Sequence, residues 1–258
     1  MFREILLIFN KELKSYFVTP LVYIIFTVIF IISGSFFYNI LVSYQTQLPE
    51  IIKNPWMLKM GFDELVTQSF FMQLSIIFLF FFPLLSMRIF AEENRSGTIE
   101  MLLTSPISQL SVIIGKFLAI LFVFAIILGI TISYFLLLMP YSNGVIKIYP
   151  LISSYIGWLL FGASLLSFGI LASALTKSQL VASLIAFAFN LIFWIINSLS
   201  YYLTGTSGEF FSKISLMEHL QPFIKGVIDS RDIVYFVSII LIGLYLTNLS
   251  IESRRWRS

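Results

Sequence analysis

Six stretches of this chain carry no charged side chain: residues 15–49, 65–87, 117–146, 148–176, 178–208 and 233–251. A helix rises 1.5 Å per residue, so about 20 apolar residues cross a hydrocarbon core of roughly 30 Å. Each stretch is long enough. Within hydrocarbon every backbone N–H and C=O must be paired inside the protein, which leaves helices and closed barrels. The runs are continuously apolar rather than alternating, which argues against a barrel. The chain therefore reads as an all-α membrane protein with six transmembrane helices, near 18–42, 67–87, 113–139, 150–175, 179–203 and 232–251. Composition agrees: 11% of residues are charged and the mean hydropathy is +0.96, where a soluble domain holds about 25% charged residues.

Six spans place both termini on one side. With the termini inside, ten Lys and Arg fall on inner segments (among them Arg3, Lys11, Lys14, Arg88, Arg95 and Lys116) and six on the longer outer ones. The positive-inside bias thus predicts cytoplasmic termini. The net charge of +3 is then a topology signal, with no role for nucleic acid. The chain has no cysteine, which excludes disulfides and thiolate metal sites. Ser33-Gly34-Ser35 mimics a signal-cleavage triplet, but the long preceding region with Glu4 and Glu12 opposes that reading.

Residues 2–17 are amphipathic, with Phe2, Ile5, Leu6, Phe9, Leu13, Tyr16 and Phe17 on one side. The pattern predicts a helix lying in the cytoplasmic interface with its apolar face in lipid. Thr19-Pro20 should separate it from the first span, because Pro20 has no N–H to donate. In the outer loop 43–66, Pro49, Pro55 and Gly61 are expected to prevent one long helix, and Tyr44, Trp56, Met57 and Phe62 suit a lipid–water boundary. A Thr-Lys-Ser turn at 176–178 makes spans four and five a hairpin. The outer segment 204–231 repeats apolar residues at Phe210, Ile214, Met217, Leu220, Ile224 and Ile228, with Pro222 and Gly226 interrupting. Two short amphipathic helices are predicted there, on the outer surface or dipping into the membrane against other spans.

Catalytic chemistry is sparse. The spans hold no ionisable group except Lys116 near the inner edge of the third, so coupling through buried carboxylates is not expected. Gly162-Ala163-Ser164 resembles part of an intramembrane protease motif, but a serine nucleophile needs a base. The one histidine, His219, lies in the outer segment. Gly115-Lys116 is not a phosphate loop, since Leu110 and Phe117 stand where a glycine and a Ser or Thr are required. The chain is read as no enzyme, binding no cofactor or metal; any uphill work must draw on another protein.

The most charged internal segment joins spans two and three. Arg88, Glu92 and Arg95 share one helical face, spaced for charge pairs. Gly97 should end that helix through a positive φ. Thr98 can then cap a second short helix with Glu100 in its first turn. Ser105-Pro106 should close it, with Pro106 opening the third span. The expectation is a helix–Gly–helix elbow over residues 88–106 on the cytoplasmic side. Read from the pattern alone, a solvated connector is an equal alternative.

The block Ala91-Glu92-Glu93-Asn94-Arg95-Ser96-Gly97-Thr98-Ile99-Glu100-Met101-Leu102-Leu103-Thr104-Ser105-Pro106-Ile107-Ser108, followed by Gly115-Lys116, resembles the hallmark of permease subunits of ABC-2 type ATP-binding-cassette transporters. His219-Leu220-Gln221-Pro222-Phe223, Gly226-Val227-Ile228-Asp229 and the start with Asn10-Lys11-Glu12-Leu13 fit the same family. Within it the chain looks closest to the gliding-motility and nitrous-oxide-reductase-maturation permeases. The resemblance implies one transmembrane domain over 1–258 in a bacterial plasma membrane, working as a homo- or heterodimer with cytoplasmic ATPase subunits that hold ATP and Mg. It makes the elbow a coupling helix, with Glu92, Glu93, Arg95, Gly97, Thr98, Glu100 and Pro106 as its residues. The interfacial helix 1–17 would add to the docking surface. Asn39, Gln73, Asn190 and Asn197 are candidates for lining a pathway, with helix–helix hydrogen bonding as the alternative. A second functional class fits equally well: a mechanical subunit acting on an envelope or accessory partner without passing a substrate.

Overall fold

The computed structural model describes residues 1–53, 63–98, 107–139, 147–202 and 206–255. Among the described residues every regular element is a helix. Helices α1 (Phe2–Val18) and α2 (Pro20–Lys53) are followed by a π-helical turn (Asp63–Thr67) leading into α3 (Gln68–Ser86). Then come α4 (Ala91–Ser96), α5 (Gln109–Leu138), α6 (Ile148–Leu175) and α7 (Gln179–Tyr202). Short helices α8 (Thr206–Ile214) and α9 (Leu216–Ile224) precede α10 (Ser230–Arg255). Among the described residues six segments are long and apolar enough to span a membrane: Pro20–Pro49, Leu65–Ser96, Gln109–Leu138, Ile148–Leu175, Gln179–Leu199 and Ser230–Ser253.

Helix α6 is the centre of the bundle. It packs against α3, α5, α7, α9 and α10, and its span is the most buried of the six. Its sequence explains this: Gly157, Gly162, Ala163, Ser164, Ser167, Gly169, Ala172 and Ser173 are all buried, and small residues let neighbouring helices approach closely in a membrane. Aromatic rings fill the space between α2, α3, α5 and α6. Phe37 meets Phe70, Phe70 meets Phe135, and Phe71 stacks on Trp158, with centroids 5.3, 5.4 and 6.2 Å apart. The hydroxyl of Tyr134 donates to the Phe30 carbonyl at 2.7 Å, tying α5 to α2. Helices α2, α7 and α10 bury the smallest shares of their spans. Leu184, Ile192, Leu241 and Tyr245 are exposed on α7 and α10 and require lipid or another membrane subunit to cover them.

Several expectations are met. Thr19 is extended (φ −84°, ψ 125°) and separates α1 from α2. The outer segment forms two short helices, with Ser215 capping α9 by accepting from the Glu218 N–H. Helix α9 buries Leu216, Met217, Leu220, Phe223 and Ile224 against α6 and α7, so its backbone lies inside protein. Phe210 and Ile228 remain exposed; the apolar stripe is used along α9 and not at its two ends.

Other expectations are corrected. The outer loop does not begin at residue 43: α2 runs on through Pro49 to Lys53. A proline removes one helix hydrogen bond, and here it does so in the last two turns, beyond a span already complete. Pro55, Trp56, Met57, Gly61 and Phe62 lie outside the described residues. The third span does not open at Pro106. Its first helical residue is Gln109, and Ser108 is the cap, accepting from the Ser111 N–H at 3.2 Å. The Ser164 hydroxyl, set aside above as a nucleophile for want of a base, donates to the Leu160 carbonyl at 3.0 Å, a helix-internal bond.

Candidate functional site

The elbow begins where α3 ends. After Ser86 the chain makes a turn over residues 87–90 and re-enters a helix, α4. Helix ends leave backbone groups unpaired, and here a side chain of α6 meets them. The Ser173 hydroxyl donates to the Met87 carbonyl (2.9 Å) and accepts from the N–H groups of Phe90 (2.9 Å) and Ala91 (3.0 Å). Asn94, on the inner face of α4, donates to the carbonyls of Ala174 (3.3 Å) and Thr176 (2.9 Å). Those carbonyls end α6, so the elbow is fastened to the α6–α7 turn. Gly97 has φ 74° and stops α4 in the left-handed region, as predicted. The Ser96 and Thr98 hydroxyls meet at 2.9 Å. Glu100 and Pro106 lie outside the described residues, with the rest of the second arm.

The charges do not pair along the elbow as expected. Among the described residues no ion pair links Arg88, Glu92 and Arg95. Arg88 turns away instead, donating to the Thr19 hydroxyl at 2.8 Å with its guanidinium 4.5 Å from the Tyr16 ring centre. Tyr16 is buried and donates to the Leu85 carbonyl at 3.1 Å; burial pushes its phenol well above the ordinary range. Glu93 turns inward. Its Oε1 accepts from Lys116 Nζ at 2.9 Å, and Lys11 stands 4.0 Å away. Lys116 also donates to Glu12 Oε1 on α1 at 2.9 Å and to the Ile89 carbonyl at 3.0 Å. Only 2% of the Lys116 side chain is exposed, against 14% for each carboxylate. One ammonium group thus joins three elements: α1, the elbow and the start of α5.

Gly115 explains how α1 gets close enough. A Cβ there would lie 2.8 Å from Ile8 Cγ2 and 3.1 Å from the Ile5 carbonyl oxygen. The pair Gly115-Lys116 therefore provides a seat and a tether for α1. The helix uses Ile5, Ile8, Phe9, Glu12, Leu13 and Tyr16 toward the protein, while Phe2, Leu6 and Leu7 stay exposed. Between α1 and the elbow opens a cleft of about 550 Å³, lined among others by Lys11, Glu12, Arg88, Glu92, Glu93 and Lys116. Glu92 and Arg95 are exposed, with Arg95 in the last turn of α4.

The predicted elbow residues therefore divide. Glu92 and Arg95 face outward, Glu93 is internal, and Gly97 shapes the turn. Asn94, Ser173, Glu12 and Lys116 complete the site and were not among them, although Lys116 signalled itself as the one charge in a span. The four polar residues predicted along a pathway are not gathered into one site. Asn39 is exposed on α2 and Gln73 half-buried on α3. Asn197 accepts from the Ser215 hydroxyl at 3.2 Å. Asn190 is 3% exposed and lines a small cavity with Ser75, Phe161 and Met217. Among the described residues no group of three or more His, Cys, Asp or Glu is placed to hold a metal.

The family model described as ABC-2 family transporter protein matches residues 6–245. No curated protein matches the chain.

Proposed function

The chain belongs to the ABC-2 family of transporter proteins, and from that premise we propose that this permease subunit couples through its elbow to separate cytoplasmic ATPase subunits. Two permease subunits would form the pathway, with ATP and Mg held on the partners and both termini in the cytoplasm of a bacterial plasma membrane. The observation that supports this reading is the way the elbow is built. Its inner face is fixed by Ser173, Asn94 and the Glu93–Lys116–Glu12 cluster, while Glu92 and Arg95 are left exposed. A stroke delivered by an ATPase needs a stiff element with a free polar surface, joined directly to membrane helices. The described arm of the elbow, residues 88–98, has a fixed inner face and a free polar surface and continues directly from α3, and a merely solvated connector needs none of the internal bonds. The likeness to gliding-motility and maturation permeases belongs to the same proposal.

The test separates surface from scaffold. Glu92→Lys combined with Arg95→Glu should leave thermal stability unchanged yet abolish co-purification of an ATPase or its stimulation by the membrane subunit. Normal ATPase binding and stimulation by that double variant would move the docking surface elsewhere.

A further inference from the structure

At the end of the bundle opposite the elbow, His219 of α9 sits among hydrogen-bond acceptors. Its Nδ1 is 2.6 Å from Asp232 Oδ1, and its Nε2 is 3.0 Å from the Lys213 carbonyl oxygen. A carbonyl oxygen can only accept, so Nε2 must carry a proton. A neutral imidazole has one N–H, which leaves Nδ1 bare against a carboxylate. That contact is made only when a further proton lies between Nδ1 and Oδ1, whichever atom holds it. The arrangement therefore needs one proton more than neutral histidine and ionised aspartate supply together. We propose that His219 and Asp232 form a proton-binding site that latches the α8–α9 segment onto α10, so that the docking of this segment responds to pH.

The surroundings make the proton matter. The groups facing the ring from α10 are Asp232, buried at 8% exposure, and Tyr235, whose ring stacks on it with centroids 3.8 Å apart. From α8 the ring meets the Lys213 carbonyl, while the Lys213 side chain is exposed. Glu218 adjoins it on α9, and Arg231, next to Asp232, is exposed. Tyr235 donates to the Ile214 carbonyl, closing a second link between α10 and the turn joining α8 to α9. When the proton leaves, the ring has one N–H for two acceptors, so either Nδ1 faces Asp232 bare or Nε2 faces the Lys213 carbonyl bare, the stacked ring loses any positive charge, and one hydrogen bond is gone. The sign follows: the latch is complete at acidic pH and is lost as pH rises. Histidine is the side chain whose ordinary titration lies in the physiological range. Which compartment supplies the proton rests on the topology proposed above.

The absence of cysteine makes the test clean. Met217→Cys places a thiol on the buried face of the latched segment, where Met217 is 7% exposed, and Phe210→Cys places a reference thiol on its outer face, at a position 60% exposed. Labelling by a membrane-impermeant maleimide is compared in intact-complex vesicles of both orientations, as the ratio of the two rates, which cancels the pH dependence of the thiolate. The ratio should rise with pH, by up to about tenfold per pH unit, the limit for a one-proton latch. His219→Gln should remove the pH step, and Asp232→Asn, whose amide N–H can itself donate to the bare Nδ1 of neutral His219, should hold the ratio low at every pH. A flat ratio with His219 and Asp232 both present, or a pH step that survives His219→Gln, overturns the latch. Neither result bears on ATPase coupling, which is read by co-purification. Labelling in only one vesicle orientation reports the side, so a topology error is told apart from a failed latch.

Discussion

Lys116 gives the sharpest test of the elbow scaffold. Replacing it by methionine keeps the length of the side chain and removes the cation that Glu12 and Glu93 share. Breaking a buried ion pair from one side costs about 3–5 kcal/mol. Protonating a carboxyl at neutral pH instead costs about 4 kcal/mol, from an ordinary pKa near 4.3 and about 1.4 kcal/mol per unit, so protonation offers no cheaper escape. Both carboxylates keep 14% exposure and border the open cleft, so water relieves part of the penalty and the lower end, about 3 kcal/mol, applies. For a chain of this size that corresponds to a fall in Tm of about 6–12 °C. The triple variant Glu12→Gln, Glu93→Gln, Lys116→Met removes every charge of the cluster, and neutral replacements of buried ion pairs are often free of cost. It should melt within about 3 °C of the parent. The assay is thermal unfolding of the purified complex in detergent, all variants at one heating rate because membrane proteins unfold irreversibly under such conditions. Equal Tm values for the single and triple variants, or an unchanged single variant, would refute the claim that one ammonium group joins α1, the elbow and α5.

Two further outcomes are expected. Asn94→Ala removes the donors to the Ala174 and Thr176 carbonyls and should cost about 1–3 kcal/mol, seen as faster proteolysis near Gly97 with the spans intact. Glu4 has its carboxyl held below the ordinary range, chiefly by a hydrogen bond from the Ser111 hydroxyl. A lowered pKa means the α1–α5 contact gains stability above the ordinary carboxyl range and loses it as pH falls through the folded value. Glu4→Gln should remove that acid-side dependence when α1 docking is followed by a fluorophore at residue 7.

The spans were legible because they depend on composition over about 20 residues, which neighbours cannot alter. Thr19-Pro20 and Gly97 were legible because proline and glycine restrict the backbone locally. The extent of α2 was not: Pro49 reads as a breaker, yet a proline close to a helix end removes a bond that matters little. The scaffold of the elbow was hidden for a different reason. Glu12 lies 104 residues from Lys116, and Asn94 lies 82 from Thr176. A lone lysine in a span announces that it needs an anion, but Glu4, Glu12, Glu92, Glu93 and Glu100 were all available on the same side. Only the seat at Gly115 brings α1 near enough to select Glu12. The spacing of Arg88, Glu92 and Arg95 suggested pairing along one face, and tertiary partners at Thr19 and Tyr16 took Arg88 instead.

Helix α6 connects the two ends of the molecule that carry its polar features. Near its C-terminus Ser173, Ala174 and the following Thr176 hold the elbow. Near its N-terminus Leu220 and Phe223 of α9 lie over Gly157, and the Ser154 hydroxyl reaches the Ile224 carbonyl at 3.5 Å. Its 28 residues span about 42 Å. A push on the elbow therefore meets a single helix whose far end carries the latched segment. Coupling over that distance requires an element with two discrete positions rather than mere adjacency. Toward the elbow the small residues of α6 meet other small residues, Gly169 against Ser86 of α3 and Ser167 against Gly243 of α10, so at these contacts no large side chain must be withdrawn for the helix to shift. The large rings sit instead between α2, α3, α5 and the outer half of α6, where Trp158 anchors it to Phe71 and Phe78. A pivot about that aromatic anchor, rather than translation of the whole helix, is the motion the packing opposes least.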